Sequence, residues 1–352
     1  MAPRTLQIAC AGLGRMGKRH AQNLLHRSPR STLVAAFTPD PAEVEWAETN
    51  LVPYGVAIYS DYDAMLAHSG LEAVLISTIT TVHAEQAIKA IEAGKHVLCE
   101  KPLSTDAAIC QSVVDSSLAH PSLKVMCGFS RRFDDSYRDA YAKTAAGLIG
   151  TPSIIRSQTC DKIDPTGNFV NFAATSGGIF VDCSVHDIDL ILWFFGSTGT
   201  SAVKSVVSSG TVALHPELKQ YNDADNAVGI IEFYDGRVAY LYCSRMMAAG
   251  QEDTTEIIGT KGKLVVNGTA QKNLVGIFDA SGARRELPAH YYERFELAFV
   301  HEVNEFAAAC LDGSDLPMGI QGAVDAVRIA KALQDSLVSG EKVRFDERGG
   351  RL

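Results

Sequence analysis

The chain has no CxxC pair, no regular cysteine spacing and no HExxH. Its eight cysteines (10, 99, 110, 127, 160, 183, 243 and 310) stand singly, several of them inside apolar runs. A lone thiol in such a run packs as a small hydrophobe. The pattern excludes a disulfide framework and predicts reduced thiols in a cytoplasmic protein. Long hydrophobic runs are missing too: no stretch approaches the roughly 18 apolar residues of a membrane span. The start, "MAPRTLQIACAGLG", passes from one arginine straight into a strand-like run, unlike a signal peptide. Positive charge is scarce, 32 Lys and Arg against 41 Asp and Glu, a formal net charge of −9. Nucleic acid and anionic membranes both need a basic face, so neither is an expected partner. What remains is globular, 46% hydrophobic and 21% charged, and at 352 residues long enough for two domains.

"LQIACAGLGRMGKRHAQNLLH" holds a short apolar run, then Gly12, Gly14 and Gly17 in GxGxxG spacing, then a helical pattern. That is the strand, turn and helix context of a dinucleotide fingerprint. Gly12 permits the tight turn, Gly14 lets backbone approach a pyrophosphate, and Gly17 allows close helix packing; Arg15 and Met16 lie within the same loop. The phosphates would rest on the helix N-terminus. Strand-like runs follow at 32–38, 56–60, 71–78, 96–102 and 123–129, with helical patterns between them. Such alternation predicts a parallel, doubly wound sheet. In an NAD-selective site an acid ends the second strand and holds the adenosine 2′-hydroxyl. Thr38 occupies that place here, with no Arg or Lys beside it to pair with a 2′-phosphate and with Asp40 and Glu43 to repel one. NAD(P) is expected, its preference open. Lys101, in "CEKP", stands at a strand's carboxyl end, where such sheets bind ligands. An ammonium group there would favour a substrate alkoxide as hydride leaves, or it would be an ordinary surface charge.

After residue 130 the pattern changes to strand-like runs with hairpin turn signals such as "YDGR" and "TKGK", closed by two long helical patterns. This predicts two domains: a dinucleotide-binding Rossmann domain over 1–129 and an α+β domain with an open, mainly antiparallel sheet over 130–352. Residues 177–190, "GGIFVDCSVHDIDL", place Asp182, His186, Asp187 and Asp189 in a core-like run. Read as one helix, the stretch puts Asp182 and His186 on one face. Three readings compete: a metal pair, a mutually satisfied core pair, or a pair that moves a proton. Asp189 could join that face, but a metal is disfavoured because the rest of the chain offers no HExxH or cysteine cluster.

The ordered set "GLGRMGKRHAQNL", "GKHVLCEKPLS", "GFSRRFD", "SGGIFVDCSVHDIDL" and "EIIGTKGKL" resembles the Gfo/Idh/MocA oxidoreductases, in particular their inositol 2-dehydrogenase branch, over nearly the whole chain. The resemblance implies hydride transfer between a nicotinamide and a secondary alcohol of a cyclic polyol or sugar. It implies Lys101, Asp182 and His186 as the catalytic set, with Asp182 and His186 also on the substrate, and Arg131 as a substrate-side residue. Ser77, Thr78, His83 and Glu100 would join Lys101, Thr38 and the glycine loop around the cofactor, and the open sheet would form a homodimer or homotetramer. The chain departs from the branch in carrying "CDKIDPTGN" where an "RDP" is common, and Thr38 where an acid is. Two rival readings stay open at this level: an NADPH-dependent reductase of a sugar, ketone or imine, and a sugar- or nucleotide-sensing regulator. Asp187 and Asp189 fall outside the catalytic set, and capping, solvent-facing or interface contacts are expected of them.

Overall fold

The computed structural model describes residues 4–164, 166–197 and 202–352, and the structural statements below concern these. The chain divides into two compact units. One comprises residues up to Ser130 together with Leu297–Val324; the other comprises Arg131–Glu296 and Asp325–Leu352. Leu297–Val324 thus joins the first unit from far along the chain.

The first unit is built on six parallel strands, β1 (Leu6–Ala11), β2 (Ser31–Phe37), β3 (Ala57–Tyr59), β4 (Ala73–Ile76), β5 (His96–Glu100) and β6 (Val125–Gly128). Their order, β3-β2-β1-β4-β5-β6, reverses direction between β1 and β4, as a doubly wound dinucleotide sheet does. Every residue of β4 is buried, and all of β1 except Gln7, which is what covering both faces of a parallel sheet requires. The crossovers are α1 (Arg15–His26), α2 (Pro41–Asn50), α3 (Tyr62–Leu66), α4 (Thr80–Glu92) and α5 (Ala107–Ala119). Asp40, Asp61 and Asp106 cap α2, α3 and α5 by accepting from backbone N–H groups two or three residues further on. In α1 the corresponding position is Gly14, which offers no side chain.

The second unit opens with α6 (Asp135–Ala145), preceded by a single 3-10 turn at Ser130–Phe133. Its seven-stranded sheet contains β7 (Pro152–Lys162), β8 (Val203–Thr211), β9 (Asn226–Phe233), β10 (Val238–Met247), β11 (Glu252–Gly259) and β12 (Gly262–Val266). A short strand, Val343–Arg344, completes it at the β8 edge. The order from the other edge is β12-β11-β7-β10-β9-β8, antiparallel throughout except for the β7–β10 pair. Along β9 and most of β10, buried residues alternate with exposed or half-buried ones, so one face is packed and the other is open. The packed face meets α9 (Val185–Phe195), which follows α7 (Asn168–Ser176) and the one-turn α8 (Ile179–Asp182).

The single helix expected over 177–190 is two helices. The Cys183 N–H still donates four residues back to the Ile179 carbonyl at 2.9 Å, but the Ser184 N–H reaches back five residues to the same carbonyl at 3.4 Å, and the ladder breaks there between α8 and α9. Asp182 is therefore the last residue of one helix and His186 lies in the first turn of the next. Both pieces are apolar, so periodicity gave no sign of the break.

Candidate active site

In the first unit the loops after β1, β2 and β4 are stitched together by backbone. Gly12 N–H donates to Phe37 O at 2.7 Å, and Ser77 N–H donates to Ala11 O at 2.7 Å. Gly12 has φ +86°, and a Cβ there would stand 2.6 Å from Ser77 O. A Cβ on Gly17 would stand 1.8 Å from Gly12 O, so the first turn of α1 lies directly on the loop. The start of α1 has neither a capping side chain nor an acid in its first turn, and the buried Ser77 Oγ has no hydrogen-bond partner. A helix start with no capping side chain and an orphaned hydroxyl at the switch point of the sheet suit a dinucleotide pyrophosphate. Gly12, Gly14, Arg15, Met16 and Gly17 are the residues that would hold it. Gly17→Ala is expected to abolish nucleotide binding at concentrations that saturate the wild type, and to lower stability by about 1–3 kcal/mol through overpacking. A fluorescence titration and a thermal melt read the two effects; wild-type affinity would remove the loop from the site.

Four other residues expected around the cofactor are anchored internally. Thr38 is fully buried, and its Oγ1 donates to Glu43 Oε2 at 2.5 Å. Thr78 Oγ1 donates to Gln86 Oε1 at 2.7 Å. His83 is 2% exposed, with Nδ1 2.9 Å from Pro102 O and Nε2 3.0 Å from Thr78 O. Its ring ties the loop after β4 to the one after β5, which makes it a positioning residue for Lys101–Pro102. Glu100 sits with Oε1 2.6 Å from His20 Nε2, and its Oε2 accepts from Lys101 N–H at 3.2 Å. Burial works to raise the Glu100 pKa, but the His20 hydrogen bond and the charges of His20, Lys101 and His83 prevail and hold it below the usual carboxylate range. Lys101, half-buried, thus leaves the sheet from an anchored carboxylate at the carboxyl end of β5.

In the second unit Asp182 and His186 flank the break between α8 and α9, both half-buried. Asp182 Oδ2 accepts from Arg245 Nη2 at 3.2 Å. Nη1 of the same guanidinium donates to Asp223 Oδ2 at 2.7 Å and Ala224 O at 3.0 Å. Asp223 Oδ1 accepts from the Ile179 N–H at 2.7 Å, so this aspartate fixes the start of α8 while Arg245 holds its end. Asp223 and Arg245 are distant from 182 in sequence, and nothing in their local pattern marked them.

His186 is placed by its neighbour. Asp187 is fully buried and accepts from Arg131 Nη1 at 2.9 Å, Ser157 Oγ at 2.6 Å and Thr159 Oγ1 at 2.6 Å. Arg131 Nη2 also donates to Thr159 Oγ1 and to Asp253 Oδ1, at 2.7 and 3.0 Å. The start of α9 is thereby bolted to β7 and β11. Asp189, 2% exposed, takes two hydrogen bonds from Arg132, each 2.7 Å. These geometries correct one expectation. Asp187 and Asp189 are buried ion-pair anchors instead of caps or solvent-facing acids. Arg131 is 3% exposed and both its terminal nitrogens donate to protein, so it braces the helix that carries His186. Among the described residues no three His, Cys, Asp or Glu side chains gather as a metal site would require.

Fold and site define an oxidoreductase of the dinucleotide-binding kind. Residues 6–129 match the family model of the "Oxidoreductase family, NAD-binding Rossmann fold", and residues 137–265 match the "GFO/IDH/MocA C-terminal domain". The chain is 33% identical to scyllo-inositol 2-dehydrogenase (NAD(+)) of Bacillus subtilis over 348 residues, covering 97% of each protein. It is 26% identical to myo-inositol 2-dehydrogenase of Thermotoga maritima, covering 97% of this chain and 99% of that one. Among solved structures it is similar to scyllo-inositol dehydrogenase from Lactobacillus casei with bound cofactor NAD(H) and scyllo-inositol. That likeness has a TM-score of 0.91 at 34% identity and covers 97% of this chain and 99% of that one. The chain belongs to the GFO/IDH/MocA oxidoreductase family.

Proposed function

We propose that this chain oxidises a secondary alcohol of an inositol-like cyclic polyol with NAD(P). The observation that carries the reading is the match along 97% of the chain to a scyllo-inositol dehydrogenase whose structure holds NAD(H) and scyllo-inositol. The nicotinamide, when bound, accepts the hydride. The hydroxyl proton must then go to a base, and His186 is assigned that role, since an imidazole's ordinary pKa of about 6.5 is the side-chain value nearest neutrality. Asp182, steadied by Arg245, is assigned to orient the imidazole or to accept a hydrogen bond from a substrate hydroxyl. Lys101 is assigned to favour the alkoxide that develops as the hydride leaves. Steady-state rates of nicotinamide reduction with scyllo-inositol, myo-inositol and a panel of aldoses test the reading. Turnover on an inositol is expected; no absorbance change with any polyol and either nucleotide would remove it.

The same proposal includes a homo-oligomer, a dimer or tetramer, formed through the open face of the second sheet. Ile154, Val228, Ile230 and Tyr240 are each more than a third exposed there, and Tyr240 pairs across the strands with Ile230 and Arg156. A contiguous apolar face of this kind needs a cover. Ile230→Glu is expected to yield a smaller particle by light scattering with little change in melting of the isolated subunit. A monomeric wild type would exclude the assembly. None of the eight cysteines forms a disulfide and seven of them are buried, which supports a reducing, cytoplasmic setting.

A further inference from the structure

The place where an NAD-selective chain carries an acid is filled by Thr38, and Thr38 cannot serve a ligand itself. It is fully buried and its hydroxyl is given to Glu43 Oε2. That same oxygen accepts from the Leu13 N–H at 3.1 Å, inside the glycine loop. One carboxylate oxygen therefore bridges the β1–α1 loop and the end of β2. The other, Oε1, accepts no hydrogen bond among the described residues. It lies 3.5 Å from where a Cβ on Gly14 would stand, and so faces the loop expected to receive the dinucleotide. Glu43 reaches this spot from the first turn of α2, whose start is set by Pro41 and by Asp40 Oδ1 accepting from the Ala42 N–H at 2.8 Å.

We propose that Glu43 is the residue by which this chain selects NAD over NADP. With Oε2 pinned by Thr38 and Leu13, Oε1 is presented as the acceptor for the adenosine 2′-hydroxyl, and its charge repels a 2′-phosphate in the same place. The arrangement restores by a helix-borne carboxylate the function that an acid at the strand end has in other dinucleotide sites. It explains why a threonine is tolerated at that end: a hydroxyl there is the donor that orients the glutamate. The inference rests on the reading that the first unit binds a dinucleotide with its pyrophosphate on α1.

Trp46 lies three residues beyond Glu43 on α2 and is one of only two tryptophans in the chain, so it reports binding directly. NAD+ and NADP+ would each be titrated into the full chain without substrate, by tryptophan fluorescence and calorimetry. The wild type is expected to bind NAD+ at least tenfold more tightly. A hydrogen bond to a charged group is worth about tenfold to a hundredfold in affinity. Glu43→Gln should accordingly weaken NAD+ by about tenfold, strengthen NADP+ and bring the ratio close to one. Thr38→Val, which keeps the acid and removes one of its anchors, should reduce the ratio by less. Glu48→Gln makes the same charge change at an exposed position of the same helix and should leave the ratio unmoved. A wild-type ratio of one, or a ratio unchanged in Glu43→Gln and Thr38→Val, overturns the inference while leaving dinucleotide binding intact. Failure of both nucleotides to bind overturns the dinucleotide reading, and the inference with it.

Discussion

Replacing His186 or Lys101 by alanine is expected to lower kcat by roughly 10²-fold or more, the scale of a positioned acid–base group, with NAD+ affinity kept within a few-fold. The two losses should differ in kind. Without His186 the hydroxyl proton has no protein acceptor, so residual activity should climb with pH beyond the point where the wild type levels off, as hydroxide takes over. Without Lys101 the alkoxide loses its cation, and the deficit should persist across pH. The Lys101 backbone is held by Glu100, itself held by His20, so alanine at 101 removes an ammonium group without disturbing the loop that carries it. Stopped-flow turnover across pH, with nucleotide affinity measured separately, checks both. Near-normal turnover in either variant would end its assignment.

The second large effect is on stability. Arg131→Met is expected to lower the free energy of unfolding by about 3–5 kcal/mol, because it leaves Asp187 and Asp253 buried without their cation. Burial works against the Arg131 charge, yet Asp253 and Asp187 outweigh it and raise its pKa above the ordinary value. For Asp253 the balance falls the other way, with burial prevailing over the pull of Arg131 and pushing its pKa up to about 6. Its folded value thus exceeds the roughly 3.9 of an unfolded aspartate, so its contribution to stability is complete below pH ~4 and is lost as pH rises through about 6. Asp253→Asn should remove this slope, and wild type minus variant should fall between those limits in denaturant titrations. A flat difference would mean that Asp253 binds its proton equally in the folded and unfolded states.

The first sheet was legible because its strands are largely apolar runs and the glycine spacing marks a loop where a helix must sit on backbone. The second sheet was legible from its hairpin turns, although the parallel β7–β10 pair was not, since no crossover helix joins them directly. The residues proposed for catalysis, Lys101, Asp182 and His186, are named by motifs, whereas the side chains that hold them are not. Arg131 and Asp187 stand 56 residues apart and Arg245 and Asp182 stand 63 apart, so each pair exists only after folding. The glycine loop needed no such partner, because its chemistry is in the backbone. The break between α8 and α9 escaped notice for a different reason: burial of both pieces erases the polar stripe that would have marked a helix end.

Leu297–Val324 belongs with the first 130 residues. Phe299, Val303 and Phe306 are buried, the His20 ring meets Phe299 edge-on, Asn304 Nδ2 donates to Arg27 O, and Arg30 clasps Asp312 with two hydrogen bonds. A ribosome delivers all six parallel strands long before it delivers these side chains. The nascent nucleotide-binding unit therefore waits, with an open apolar seam beside α1, while the whole of the second sheet is synthesised. Order of synthesis and order of completion run opposite ways in this chain, and a fragment ending near residue 129 would carry that seam permanently.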